Sequence, residues 1–179
     1  MTKILNTYIL PDTYVVFDLE TTGFTPQSAE IIEIGALRIT NGKIAEQFHS
    51  YVHPYMGIPE RITSLTGITT SDVKDAPCID GAIRSFWDFI KDDTLVAHNA
   101  SFDCRFIDTF GAANGVAFSN SVIDSLRLAR KHLSCGSHKL SAIKEYFGIE
   151  RASHNALDDC YVTYKLTEYC RDAERALTH

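Results

Sequence analysis

The sequence contains no C-x-x-C pair, no stretch of eighteen uninterrupted apolar residues, no low-complexity tract and no repeat of solenoid length. Each absence removes a class of protein. The five cysteines, at positions 78, 104, 135, 160 and 170, are odd in number and widely scattered, which argues against a zinc knuckle or a dithiol redox motif and predicts reduced, structural thiols. Without a long apolar run there is no membrane-spanning helix to propose. Met1 to Leu10 lacks the basic start and apolar stretch of a secretory leader, so a cytoplasmic protein with no membrane partner is expected. Positive charge is also scarce: 17 Lys and Arg stand against 23 Asp and Glu, a net charge of −6. That balance argues against a protein that coats nucleic acid through bulk charge. An acidic chain touching only a short anionic segment remains allowed, because cations held by clustered carboxylates reverse the local field.

What is present suits one domain over residues 1–179, with its core between about 12 and 170. The 45% hydrophobic and 22% charged fractions are those of an ordinary globular protein. Tyr14 to Glu20 (YVVFDLE) is rich in β-formers and stops at the polar break TTGF, which predicts a buried strand. Glu30 to Thr40 and Glu46 to Val52 predict two more, joined through Asn41-Gly42, a strong hairpin signal. Pro54 and Pro59 mark a loop. Ile79 to Lys91 places Ile79, Ile83, Phe86, Trp87 and Ile90 at helical spacing. A short apolar run, Thr94 to Ala97, leads into Ala100 to Ala113, where Phe102, Phe106 and Phe110 recur every fourth residue: strand, then helix, the pattern of a parallel unit. Ser121 to Ile123 reads as a fifth strand, and Ser125 to His132, Leu140 to Phe147 and Ala156 to Ala176 as further helices. The expectation is an α/β domain with a mixed five-stranded sheet and helices on its faces.

Asp18 and Glu20 stand two residues apart in an otherwise apolar strand and so project from one face. Two like charges taken out of water are costly, and a hard divalent cation with oxygen ligands is the simplest way to keep both ionised. A strand ending at Asp18, with both acids solvated, would account for the pair equally simply. Asp103 falls at the start of a helix that follows directly from Thr94 to Ala97, where strand ends commonly assemble ligand sites. Asp158 and Asp159 follow His154-Asn155. Helix electrostatics and capping are sufficient reasons for each of these acids alone.

Taken together, FDLETTG at 17–23, VAHNASFD at 96–103 and HNALDD at 154–159 resemble the three motifs of the DEDDh, or DnaQ-like, exonuclease family. That family includes the proofreading epsilon subunit of bacterial DNA polymerase III and several RNA-trimming enzymes. The similarity runs from about Tyr14 to Leu166, keeps the motif order and distances, and extends to EIIEIGA at 30–36, LTGIT at 65–69 and DSLRLARK at 124–131. It implies a ribonuclease H-like fold and a 3′-to-5′ exonuclease releasing nucleoside 5′-monophosphates. It also implies Asp18, Glu20, Asp103 and Asp159 as ligands of two divalent cations, Mg2+ or Mn2+, with His154 as general base and Asp158 as a non-catalytic neighbour. A tyrosine four residues before Asp159 would mark the sister subclass, and Asn155 stands there instead.

By the same resemblance, Thr21 backbone and the side chains of Phe24 and Leu65 would grip the terminal nucleotide, with His98, Asn99 and Phe102 near the terminal base and scissile phosphate. Ordinary surface packing accounts for Phe24 and Leu65 equally well. Between 127 and 151, Arg127, Arg130, Lys131, Lys139, Lys144 and Arg151 are opposed only by Glu145 and Glu150, a stretch that can face phosphate or simply solvent. The partner implied is a nucleic-acid 3′ end, single-stranded DNA in the first instance, and a DNA polymerase subunit in the second. An exoribonuclease of the same fold and a non-catalytic subunit that stabilises a polymerase are the competing readings; clustered acids serve no purpose in the latter.

Overall fold

A computed structural model of the protein describes residues 1–151 and 154–177. Its sheet begins with a two-residue strand, β1 (Lys3–Ile4), followed by β2 (Thr13–Thr21), β3 (Ile31–Thr40) and β4 (Lys43–Tyr51). Asn41 and Gly42 both have positive φ, 51° and 76°, as expected for the turn that matches the twist of a β3–β4 hairpin. Two short helices, α1 (Glu60–Thr66) and α2 (Thr70–Val73), precede α3 (Ile79–Ile90), β5 (Thr94–Ala97) and α4 (Ser101–Ala113). The chain continues through β6 (Ser121–Asp124), α5 (Ser125–His132) and α6 (Leu140–Tyr146) to α7 (Ala156–Leu177).

The sheet order is β1-β6-β5-β2-β3-β4, with β2, β3 and β4 antiparallel and β5, β6 and β1 parallel. The expected five strands are therefore six: Lys3 and Ile4 pair with Ser121 and Val122 at the edge. Two residues leave no room for alternation to show in the sequence. The prolines of the 54–59 loop likewise concealed α1 and α2, which bring Ile62, Ile68 and Val73 over Ile32 in a small satellite core. Thr69 and Asp72 form a capping box at α2, a legible signal that a four-residue helix is too short to support by periodicity.

Strand β2 separates two cores. Val15, Phe17 and Leu19 face α3 and α4 and pack with Phe86, Phe106 and Phe118; Tyr14 and Val16 face the other way, against α5, α6 and α7. Complete burial of one such large apolar side chain is worth about 1.5–3 kcal/mol, so both faces of the strand are strongly specified. By the two-residue period, Asp18 and Glu20 continue the Tyr14–Val16 face. On β3 the same face carries Leu37 and Ile39, then Gly35 and Glu33. The surface turned toward α7 thus changes from apolar to acidic at one end of the sheet. Among the described residues no helix is long and apolar enough to cross a membrane.

Candidate active site

Three elements deliver the candidate carboxylates to that acidic end. Asp18 and Glu20 lie on β2, and a register shift after Glu20 ends its regular pairing with β3. Asp103 is buried in the first turn of α4, and Asp159 is half-buried in the first turn of α7. His154 stands two residues before α7, exposed, with φ of 59°, a left-handed conformation in which histidine is among the better tolerated non-glycine residues. This geometry lets the His154 N–H donate to Asp159 Oδ2 at 3.1 Å. Candidate donor atoms of Glu20, His154 and Asp159 all lie within 4.8 Å of one another.

Asp18 and Asp103 join the same cluster electrostatically. Burial raises Asp18 well above the usual carboxylate range, and the charges of Asp103, Glu20, Asp159 and Glu33 push it further. Glu20 is pushed up to about 8 by burial and then by Asp159, Glu33 and Asp103. Asp103 is pushed up to about 8 by burial, against the opposing pull of its own amide and that of Leu19. Asp159 rises to about 6 through burial, opposed by the amide and imidazole of His154 and by Lys144. Burial is the first cause of all four shifts, and Asp18 and Glu20 also feel the neighbouring acids; a divalent cation is the species that would let such buried carboxylates ionise. The donor set, oxygen-rich with one imidazole, fits a hard cation such as magnesium or manganese. Asp158 turns away to pair with Arg151 at 2.7 Å.

The residue missed in the sequence is Glu33. It lies opposite Glu20 in the sheet register and is completely buried. Its Oε1 lies 2.7 Å from His49 Nε2 and accepts from Asn155 Nδ2 at 3.3 Å, while its Oε2 accepts the Ala156 N–H at 3.1 Å. Glu33 therefore ties β3 to the start of α7, the helix that carries Asp159. An acid inside the apolar run EIIEIGA, out of place among β-formers as Asp18 and Glu20 are in theirs, was the available signal. Gly35 completes the junction: a Cβ there would sit 2.6 Å from the Ala156 carbonyl carbon and 2.7 Å from the Leu157 nitrogen, so the strand and helix backbones meet with no side chain between them.

The residues expected to hold substrate flank the cluster. Thr21 is buried and its Oγ1 donates to the Gly23 carbonyl at 2.7 Å, fixing the turn after β2. Phe24 is 75% exposed, with the Arg61 guanidinium 5.8 Å from its ring centre, and Leu65 on α1 is 52% exposed. Phe24, Met56 and Arg61 line a cleft of about 420 Å³. Phe102 is half-buried, 5.1 Å from the Phe106 ring. Asn99 is exposed at φ 61°, its N–H donating to Asp124 Oδ1. His98 Nε2 donates to the His138 carbonyl at 2.9 Å, which leaves Nδ1 to accept from the Ser125 hydroxyl at 2.9 Å. Burial lowers the His98 pKa, in keeping with this neutral, fully engaged ring; its nitrogens are committed within the protein.

A mixed sheet flanked by helices, with acids gathered at the end of one of its two central strands, is an α/β arrangement of ribonuclease H-like fold. A family model described as Exonuclease matches residues 15–167, and the chain belongs to that family, a family of phosphodiester hydrolases. It is 42% identical over 156 residues to the PolC-type DNA polymerase III of Caldanaerobacter subterraneus subsp. tengcongensis, covering 86% of this chain and 11% of the relative. With the enzyme of the same description from Clostridium perfringens it shares 39% identity over 160 residues, 88% of this chain and again 11% of the relative. The chain thus spans about a tenth of the length of these curated relatives. Exonuclease X, solved with 5′-overhanging duplex DNA, superposes with a TM-score of 0.72 at 25% identity over 90% of this chain and 93% of that one. Exonuclease I of E. coli, solved with a dA16 oligonucleotide, gives a TM-score of 0.77 at 18% identity over 93% of this chain and 43% of that one, a likeness of fold.

Proposed function

We propose that residues 1–179 form one catalytic domain, with its core at about 12–170, that removes nucleotides from the 3′ end of DNA and proofreads within or beside a replicative polymerase. The observation that supports this reading is the grouping of Glu20, His154 and Asp159 within 4.8 Å, with buried Asp18 in the field of Glu20, Asp103 and Asp159. The DNA preference follows the PolC-type polymerase relatives and the DNA-bound Exonuclease X. Asp18, Glu20, Asp103 and Asp159 would hold two divalent cations, Mg2+ or Mn2+. When bound, such ions act as Lewis acids toward the attacking and departing oxygens of a phosphodiester.

The chain's own residues do the rest. His154 accepts a proton from the attacking water as the oxygen bonds to phosphorus; imidazole is the usual acceptor near neutral pH. The bond from phosphorus to the 3′ oxygen breaks, that oxygen takes up a proton, and a nucleoside 5′-monophosphate leaves. Asp159 fixes the histidine through the His154 N–H, and Glu33 holds the start of α7 against β3. Phe24 and Leu65 offer exposed apolar surface on which a terminal base can stack without regard to sequence; Thr21 fixes the turn that leads to Phe24, and His98, Asn99 and Phe102 serve the scissile phosphate side.

The test offers end-labelled single-stranded DNA, duplex DNA with a mismatched 3′ end, and RNA, each with magnesium, manganese or chelator. One-nucleotide products from DNA are expected, abolished by chelator and by Asp18→Ala, and slowed about 10²- to 10⁴-fold by His154→Ala. Faster digestion of RNA than of DNA would redirect the substrate assignment, and variants as active as the parent would refute the site.

A further inference from the structure

Of the six cations between 127 and 151, four are occupied inside the protein. Arg127 reaches Asn6 and the Leu5 carbonyl; Lys131 pairs with Glu174; Lys144 donates to the Arg151 carbonyl; and Arg151 pairs with Asp158 while lying 3.8 Å from the Tyr161 ring centre. Arg130 and Lys139 remain. Both are exposed, neither makes an ion pair or side-chain hydrogen bond among the described residues, and both line one cavity of about 560 Å³ together with His98, Asn99 and Ser137. The volume is in the range that admits a nucleotide-sized group.

The two sides of this cavity are pinned together. His98, at the end of β5, bonds the Ser125 hydroxyl of α5 and the His138 carbonyl of the following loop, which holds Lys139 and Arg130 across from Asn99. Asn99 donates its N–H to Asp124 Oδ1, and Asp124 is the charge that acts on Asp103, so the Asn99 wall of the cavity lies on the Asp103 side of the fold. It differs from the Phe24–Leu65 side in balance: two cations unpaired among the described residues, with Asn99 and Ser137 beside two leucines, here; exposed Phe24 and Leu65 near Arg61 there. A nucleic-acid strand presents the same division, with charged phosphates along one edge and bases along the other.

We infer that the Arg130–Lys139 cavity seats internal phosphodiesters of the substrate strand, those on the 5′ side of the bond being cut. The inference rests on the exonuclease reading above and adds the position of the strand's backbone. It makes the enzyme's preference for oligomers over mononucleotide esters a property of two side chains outside the catalytic cluster.

The test is Arg130→Ala/Lys139→Ala, both surface positions. Two substrates are compared: a single-stranded oligonucleotide of about ten residues, long enough to cross the groove, and thymidine 5′-monophosphate p-nitrophenyl ester, which has no internal phosphate. The readout is the ratio of their kcat/KM values. The double variant is expected to lower that ratio roughly tenfold at low salt, and to reduce by about 1.4 the slope of log binding constant against log salt for a labelled oligonucleotide. Lysine and arginine exchanged for each other, Arg130→Lys/Lys139→Arg, should restore most of both. A ratio kept within about twofold, or an ester hydrolysed as poorly as the oligomer, would overturn the inference. So would an inhibition constant for thymidine 5′-monophosphate that rises in parallel, since the cavity would then hold product. Should the parent hydrolyse neither substrate, the exonuclease reading fails by itself, and the salt slope of binding still decides the cavity.

Discussion

The acid cluster should make the metal-free protein weaker as pH rises, opposite to the usual behaviour of carboxylates paired with cations. Glu20 and Asp103 titrate near 8 in the folded chain through burial and mutual repulsion, whereas unfolded carboxyls titrate near 4. Folded pKa values above the unfolded ones mean that the native state holds protons the unfolded state has already lost. The associated stability is present at acid pH and disappears as pH climbs through the folded values. Two independent protons would give a slope of up to about 2.7 kcal/mol per pH unit. Because each of these acids lies in the other's field, one proton, about 1.4 kcal/mol per unit, is the sounder figure, or about 3 kcal/mol between about pH 5.5 and about pH 8. For a chain of this size that is a fall in Tm of about 6–12 °C. Thermal unfolding by circular dichroism, in chelator and in saturating magnesium at each pH, checks it. Magnesium should raise Tm far more at the higher pH, where the carboxylates are ionised. A chelated protein equally stable at both values, or more stable at the higher one, would show that these acids do not share a site.

Other perturbations probe the same architecture. Gly35→Ala drives a methyl into the backbone of Ala156 and Leu157 and should destabilise the fold by about 2–3 kcal/mol, with kcat falling in parallel, measured by urea unfolding and steady-state turnover. Glu33→Ala strips the Ala156 N–H, Asn155 and His49 of their acceptor, at a cost of about 3 kcal/mol; the concentration of magnesium giving half-maximal activity should rise, while Glu33→Gln recovers part of both. Phe24→Ala and Leu65→Ala should each raise KM for DNA about fivefold or more with little change in kcat, if a base stacks there as proposed; an unchanged KM would return both to ordinary surface.

The candidate acids stood out for two different reasons, misplaced charge in a strand and position within the motifs. Asp18 and Glu20 interrupt an apolar strand, and Asp103 and Asp159 begin helices just where the resemblance places its motifs. The β3–β4 turn and the α3 stripe were legible because Asn41-Gly42 and Ile79–Ile90 obey local rules closely. Lys3–Ile4 and Thr70–Val73 escaped because two and four residues are too few for any period to show. Glu33 escaped through its partners: what makes it more than a strand acid is Ala156, 123 positions away, and no local window spans that distance. The division of the basic stretch was hidden in a similar way. Six cations in sequence resembled one phosphate-binding face, yet Glu174, Asp158 and Asn6, all remote in the chain or on another element, occupy three of them.

Where β3 and α7 touch at Gly35, main chain rests on main chain. The gap between the sheet that carries Glu20 and the helix that carries Asp159 is consequently gauged by peptide atoms, whose dimensions are the same in every protein, and not by the bulk of an intervening residue. Substitutions can drift through the neighbouring interior, a leucine becoming a methionine or an isoleucine a valine, and leave that gauge alone. Such exchanges can alter heat tolerance or solubility from within and leave the separation of Glu20 and Asp159 as it is.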